Sequence, residues 1–335
     1  MSVTAAAYSK YVDNVERVVL DQLEDSKPDM VRSLFTSVPW QEGDGEKVTF
    51  NSIALSGFAQ RVDENEDYPE INPRDGNELS KTQIQFGDKL NISRRMMKFG
   101  TRTPQVLRFG KKLASRVKNA LDLEMTMQVF AEADQTTFTP KGKSAYNIAC
   151  SDTYALLYAT HVYGGKTFSN VLSGAGALGM DNLNTLIEQG TQGTPDDFGS
   201  YLSPDYDTIL IADNVIMKNK CHQLFGSALT PETDNNAVNY YGGTGQFKVV
   251  SLKHGNKNSI GATSSGNIYR WMILDSAMAS EGLQFMMAEE PTTEQKFVNE
   301  DNLIAKLLVT QFAAYAAVQP QGILGSLSVT APTIS

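Results

Sequence analysis

Cysteine and histidine are scarce in this sequence: two cysteines, Cys150 and Cys221, and three histidines, His161, His222 and His254. Two cysteines cannot build a disulfide framework, and they do not stand at metal-ligand spacing. None of the histidines falls in an HExxH, HxH or HxxxH arrangement, so a zinc site is not expected. His222 follows Cys221 directly, and adjacent residues on a helix point apart, which argues against a catalytic pair. No GxSxG elbow occurs, which weakens a hydrolase assignment. The Gly-rich run GGTGQ at 242–246 lacks the Lys–Ser/Thr pair of a phosphate-binding loop and opens onto a strand-like segment, so it reads as a loop. The acidic pairs Asp196–Asp197 and Glu289–Glu290 border Gly or Pro and read as solvated turns. No catalytic residue, metal or cofactor is expected. There is also no apolar run of roughly 18 residues, and MSVTAAAYSKYVDNVERVV shows no charged-then-apolar leader. A protein that is intracellular, or assembled inside a cell and not in a membrane, is expected.

What is present can build a core. The chain of 335 residues is 41% hydrophobic and 20% charged, with a net charge of −9. Its length suggests roughly two domains. The acidic balance disfavours a whole-surface affinity for nucleic acid or anionic membrane.

The order of segments is distinctive. Tyr11, Val15, Val18, Val19 and Leu23 recur at helical spacing, predicting an amphipathic helix over 8–24 that ends before Pro28. KVTFNSIAL (47–55) and TQIQFGDKLNI (82–92) alternate like strands. The polar stretch between them holds Pro69, Pro73 and Gly76, so the two strands are expected to pair as a long arm with a loose tip. An isolated hairpin is marginal in water and needs something to lie on. Downstream, 178–190 and 214–227 read as helices, and 207–213, 247–252, 269–276, 282–289 and 303–327 as strands.

Between arm and downstream region lies a rod. Thr103 suits an N-cap and Pro104 a first helical position, and good helix formers then dominate to Ala133. A single helix over this stretch would run about 45 Å, longer than a globular core needs. Val106, Phe109, Leu113, Val117, Ala120 and Leu121 fall on one stripe at helical period. Past Leu121 the apolar residues Leu123, Met125, Met127, Val129 and Phe130 project to the other side, and Glu124 and Gln128 take the old apolar line. A rod that packs on different neighbours at its two ends suits a bridge between modules.

Charge divides sharply. Arg94, Arg95, Lys98, Arg102, Arg108, Lys111, Lys112, Arg116 and Lys118 form a basic stretch without an acid, whereas Asp63, Glu64, Glu66, Asp67 and Glu70 dominate the arm. Two solvated faces would account for this. So would an acidic arm tip meeting the basic rod of another copy, or a basic inner surface facing nucleic-acid phosphates.

This order of parts resembles the major capsid protein of tailed bacteriophages, the Hong Kong 97-type fold. The best local matches are YDTILIADNVIMKNKCHQLF, IYRWMILDSAMASEGLQFMMAEEP and LLVTQFAAYAAVQPQGILGSL. The resemblance implies an α+β fold with an N-terminal arm (1–40), an extended loop (41–100), a peripheral domain with a spine helix (101–165), an axial domain (166–285), peripheral strands (286–318) and a C-terminal return (319–335). It implies a structural, non-enzymatic protein whose pentamers and hexamers tile an icosahedral shell around phage DNA and rearrange from procapsid to mature head. Asp63, Glu64, Glu66, Asp67 and Glu70 would contact Arg94, Arg95, Arg102, Arg108, Lys111, Lys112 and Arg116 across a subunit interface. Further partners would be a portal, a decoration protein and non-specifically held double-stranded DNA, with the protein located in the virion after assembly in the host cytoplasm. With about 40 residues before the loop, a separate scaffolding protein is implied, or a segment removed earlier. Some relatives crosslink Lys to Asn; Lys81 and Lys89 lie in the loop, but no partner Asn is selected. An encapsulin-like nanocompartment shell has the same fold, and an α/β enzyme is the rival of a different class.

Overall fold

The computed structural model describes residues 5–25, 29–41, 45–54, 62, 75–93, 103–226, 239–242, 245–299 and 304–333. Helix α1 (Ala5–Asp25) and a 3₁₀ turn (Met30–Leu34) lead into β1 (Thr36–Ser37), β2 (Lys47–Ile53), β3 (Asp75–Thr82) and β4 (Ile84–Ser93). The long helix α2 (Thr103–Thr126) continues as a π-helical turn, Met127–Ala131. Two small hairpins follow, β5 (Thr137–Phe138) with β6 (Tyr146–Asn147) and β7 (His161–Tyr163) with β8 (Lys166–Phe168). Then come α3 (Met180–Gly193), β9 (Thr208–Ala212), α4 (Val215–Gly226), β10 (Lys248–Leu252) and β11 (Trp271–Leu274). Helix α5 (Ser276–Gly282) precedes β12 (Leu283–Asn299), β13 (Ile304–Ala317) and β14 (Ile323–Ser326).

One sheet has the order β10-β9-β11-β14. Strand β9, TILIA, is buried at all five positions, as an apolar run without alternation requires when both faces are covered. Ile209 and Ile211 face α3 and α4, meeting Leu183, Leu186, Met217 and Leu224. Leu210 and Ala212, on the opposite face by the period of two, enter a larger core with Val117, Leu121, Met125 and Phe130. Strands β9 and β10 are parallel and joined through α4, the crossover that parallel neighbours need.

The second sheet has the order β1-β12-β13-β4. Here the structure corrects the sequence expectation. The segment over 82–92 does not pair with 47–55; β4 pairs with β13 from Ile84↔Ala313 to Ser93↔Ile304. The partner of β2 is β3, DGNELSKT, paired from Lys47↔Thr82 to Ile53↔Asp75 with a register shift between Asn51 and Ile53. Burial explains the exchange. Phe86 and Ile92 of β4 belong to the large core, which the apolar β13 can offer and a polar ribbon cannot. Strand β3 is poor in strand formers and owes its conformation to pairing and to Leu79 against the core beneath it, not to propensity. The ribbon's base also lies on its own molecule, Val48 and Phe50 packing on Met286, Ala314, Ala316 and Val318. Glu289 and Glu290 are exposed as expected but not in a turn: they sit inside β12, where the register shifts on both sides of Glu289. Pro291 is accommodated at that irregularity, the kind of site a strand proline requires. Asp196 is buried, not solvated, its Oδ1 accepting from the Phe198 and Ser200 amides at 3.0 and 2.6 Å.

The rod is observed from Thr103 to Ala131, roughly 40 Å long. Leu113, Val117 and Leu121 are buried as expected and Ala120 packs against the core, but the buried line is shifted at one edge. Helix α1 lays Val12, Val15 and Val19 against the side carrying Gly110, Leu113, Ala114 and Val117. A Cβ on Gly110 would come within 3.0 Å of Val19 Cγ2 and 3.3 Å of Val15 Cγ1, so the absent side chain sets the interhelix distance. The shift toward Gly110 and Ala114 leaves Phe109 at the rim, 51% exposed, where the sequence reading had it buried. Past Leu121 the rod does not swap faces but becomes enclosed. Met125, Val129 and Phe130 enter the large core, while Met127 and Ala131 meet Phe138 and Ile148 of the β5–β6 region. Arg270 closes the end, donating to the Ala131 carbonyl at 2.8 Å and to Asp134 Oδ1 at 2.6 Å, a cation at the negative end of a helix.

Candidate functional site

The exposed flank of α2 carries Arg108, Lys111, Lys112 and Arg116. On a helix, residues three and four apart are neighbours, so these four share one face beside exposed Phe109. Arg116 meets Asp88 of β4 at 3.0 Å, yet its side chain remains 74% exposed. Lys118 belongs elsewhere: it donates to the Leu23 carbonyl, and Arg32 Nε meets Asp122 at 2.5 Å, so the N-terminal segment is tied to the other flank of the rod. Of the other residues expected at an interface, Asp63, Glu64, Glu66, Asp67 and Glu70 lie outside the described residues, as do Arg94, Arg95 and Arg102.

Beside this flank runs a groove of about 780 Å3, walled by residues 82–88, by α2 from Arg116 to Glu124, by the loop 140–146 and by Ser259 and Ile260. Lys141 and Lys143 stand exposed on its rim, flanking Gly142, whose φ of +70° favours glycine in the turn closed by Lys143 N–H to Pro140 O. Sequence reasoning missed both lysines and Asp88. Lys141 and Lys143 bracket a turn signal, but nothing local shows that this turn lies across the rod that precedes it.

The floor of the groove is polar in a specific way. Glu124 accepts from Tyr315 Oη at 3.0 Å, and burial pushes its carboxyl up to about 7, against the opposing pull of that hydrogen bond. Tyr315 and Tyr146 pack with ring centroids 5.7 Å apart, and burial raises both phenols. Lys81 Nζ lies 5.9 Å from the Tyr146 ring centroid, donates to the Asn147 carbonyl at 2.8 Å, and is lowered to about 8 by burial. These contacts fasten the ribbon to the β5–β6 hairpin.

His161 and Asp152 form another close pair, Nδ1 to Oδ2 at 2.6 Å, but the imidazole is wholly buried and stacked on Phe168 at 5.2 Å. Cys221 is buried while its neighbour His222 is exposed, so the two diverge. Among the described residues no group of three or more His, Cys, Asp or Glu is placed to hold a metal. None of the described helices is long and apolar enough to cross a membrane.

No protein-family model and no curated protein matches this sequence. Solved structures do match its fold. A chain of Gordonia phage Cozz superposes with a TM-score of 0.52 at 9% identity, covering 90% of this chain and 86% of that one. A chain of Mycobacterium phage Adephagia gives 0.50 at 13%, covering 92% of both. The asymmetric unit of the bacteriophage PhiM1 mature capsid gives 0.50 at 10%, covering 90% and 87%. The class is therefore defined by architecture: this is a phage-capsid-type fold, mixed in helix and sheet, extending over nine-tenths of the chain.

Proposed function

We propose that this protein is the structural major capsid protein of a tailed bacteriophage, whose copies form pentamers and hexamers and tile a closed icosahedral shell around double-stranded DNA. The observation that carries this reading is the fold shared along nine-tenths of the chain with the PhiM1 mature capsid, joined to a rod whose cationic flank stands in solvent on a chain of net charge −9. A charged, exposed flank on so long a helix offers a surface that another copy can meet when copies abut.

In this reading α2 and the π-turn are the spine, 41–100 hold the extended loop, 101–165 and 286–318 the peripheral domain and 166–285 the axial domain. The acidic residues Asp63, Glu64, Glu66, Asp67 and Glu70 of one copy meet Arg94, Arg95, Arg102, Arg108, Lys111, Lys112 and Arg116 of the next. A scaffolding protein, a portal and a decoration protein complete the head, assembled in the host cytoplasm, and no catalysis belongs to the role.

Light scattering and negative-stain microscopy of the purified full chain test it. Rings of five or six, or closed shells, are expected. A monomer that persists at high concentration with divalent salt and crowding agents overturns the proposal, and turnover of a small substrate by that monomer would favour an enzyme instead.

A further inference from the structure

We propose that a stacked tyrosine pair past the far end of the rod, Tyr154 and Tyr158, receives Phe109 and its flanking cations from the rod of a second copy of this chain. This deepens the shell-subunit reading and rests on it. The two rings lie 4.5 Å apart, centroid to centroid, with an interplanar angle of 9°, yet stand 37% and 36% exposed. The fold spends strain to hold them there. Thr153 takes a φ of +71°, a left-handed conformation that β-branched residues rarely adopt. Asp152 secures the turn from both oxygens, Oδ1 accepting from the Tyr154 amide at 3.2 Å and Oδ2 from His161 Nδ1 at 2.6 Å. The Tyr158 amide donates to Asn170 Oδ1 at 2.7 Å. Buried His161 packs nearly at right angles to both tyrosines, with centroids at 6.3 and 5.8 Å. Aromatic rings fixed before contact lose little freedom on docking, which suits them as anchors.

Chemistry identifies the occupant. A tyrosine face attracts cations, and this molecule already uses that contact, Lys166 Nζ lying 3.8 Å from the Tyr201 ring centroid. Exposed Phe109 stands between exposed Arg108 and Lys112 on the rod, which therefore offers an aromatic ring and two cations together. Arg108 can stack its guanidinium plane on a ring while its edge meets a carboxylate, so this contact and the acidic-arm contact are compatible. Geometry requires a second copy. The Leu157 amide donates to the Ala133 carbonyl at 2.8 Å, which fixes the tyrosine pair just past the end of the rod. Phe109 lies in the second turn, about 33 Å from Ala131 along the axis. Two different patches at opposite ends of one rod cannot meet within a copy. Joined head to tail between copies, they make the heterologous contact that generates rings.

The test uses full-length chain with the photo-reactive residue benzoylphenylalanine in place of Phe109, made in light and heavy-nitrogen forms that are mixed before assembly. Irradiated rings or shells should yield peptide pairs joining position 109 to 152–160, with light–heavy pairs as frequent as same-isotope pairs. Links to other segments alone, links only within one copy, or no links overturn the inference and leave the shell reading standing. Failure of the unaltered chain to form rings or shells overturns both. Tyr154→Ser with Tyr158→Ser should cut the crosslink by roughly tenfold or more, as loss of two aromatic anchors implies. Both rings are exposed, so circular dichroism of the subunit should be unchanged; an undiminished crosslink in that variant counts against the pairing.

Discussion

Glu124 shows how one carboxyl reports its surroundings. Burial favours its neutral form, so folded chains hold a proton that unfolded chains release between about pH 4.5 and 7. The stability it contributes is complete below about pH 4.5 and is lost as the pH rises through 7. Glu124→Gln keeps an acceptor for Tyr315 Oη, and is expected to match the parent near pH 4 and to exceed it at pH 8 by up to roughly 3 kcal/mol. Urea unfolding at both pH values measures this; an equal difference at both would show that the carboxyl is not buried in its charged form's disfavour. Little of this is legible in the sequence. Glu124 interrupts an apolar line, but its partner Tyr315 is 191 residues away, and no local pattern brings the two together.

At the scale of elements, the rod and its small-residue seam lend themselves to direct tests. Gly110→Leu would drive a side chain into Val15 and Val19 of α1, and is expected to cost about 1–3 kcal/mol as overpacking, seen as a lowered Tm. If the Tm is unchanged, α1 does not seat on that seam. Arg116→Ala removes an ion pair whose arginine is largely in solvent, so less than about 1 kcal/mol should be lost from the isolated subunit. A much larger loss in assembly yield would then be assigned to contacts between copies. The helix itself was legible, because helix formers and period agree over nearly thirty positions, although Thr103, expected as the cap, is already its first residue. Most of its buried line was legible too, Leu113, Val117 and Leu121 being buried as expected; only its edge was not, since α1 settles on Gly110 and Ala114 and leaves Phe109 outside. Strand β3 was illegible for a related reason: DGNELSKT has no strand signature, and only β2 and the core under Leu79 make it one.

For the whole molecule the decisive experiments change charge. Reversing Glu64, Glu66 and Asp67 should impair assembly while leaving the subunit folded, and the same should follow from reversing Arg108, Lys111 and Lys112. Each exposed pair contributes only ~0.2–1 kcal/mol, but the contact recurs at every subunit of a closed shell. Raising salt should mimic both changes, because exposed charges are screened beyond about 8–10 Å at moderate ionic strength. Assembly measured by light scattering that ignores both salt and charge reversal would remove the acid-to-base contact from the proposal, though not the fold.

The sequence by itself determined what is local or periodic. The long helix, the buried run of β9, the helix after it and the segregation of acids from bases all follow from spacing and propensity over a few turns. Only the tertiary structure decided the partners: β4 with β13 instead of β2, α1 on Gly110, Lys141 and Lys143 over the rod, and Tyr315 on Glu124. Those pairings join residues far apart in the chain, where the choice rests on which surfaces can bury the most apolar area together, and that comparison exists only once the elements meet.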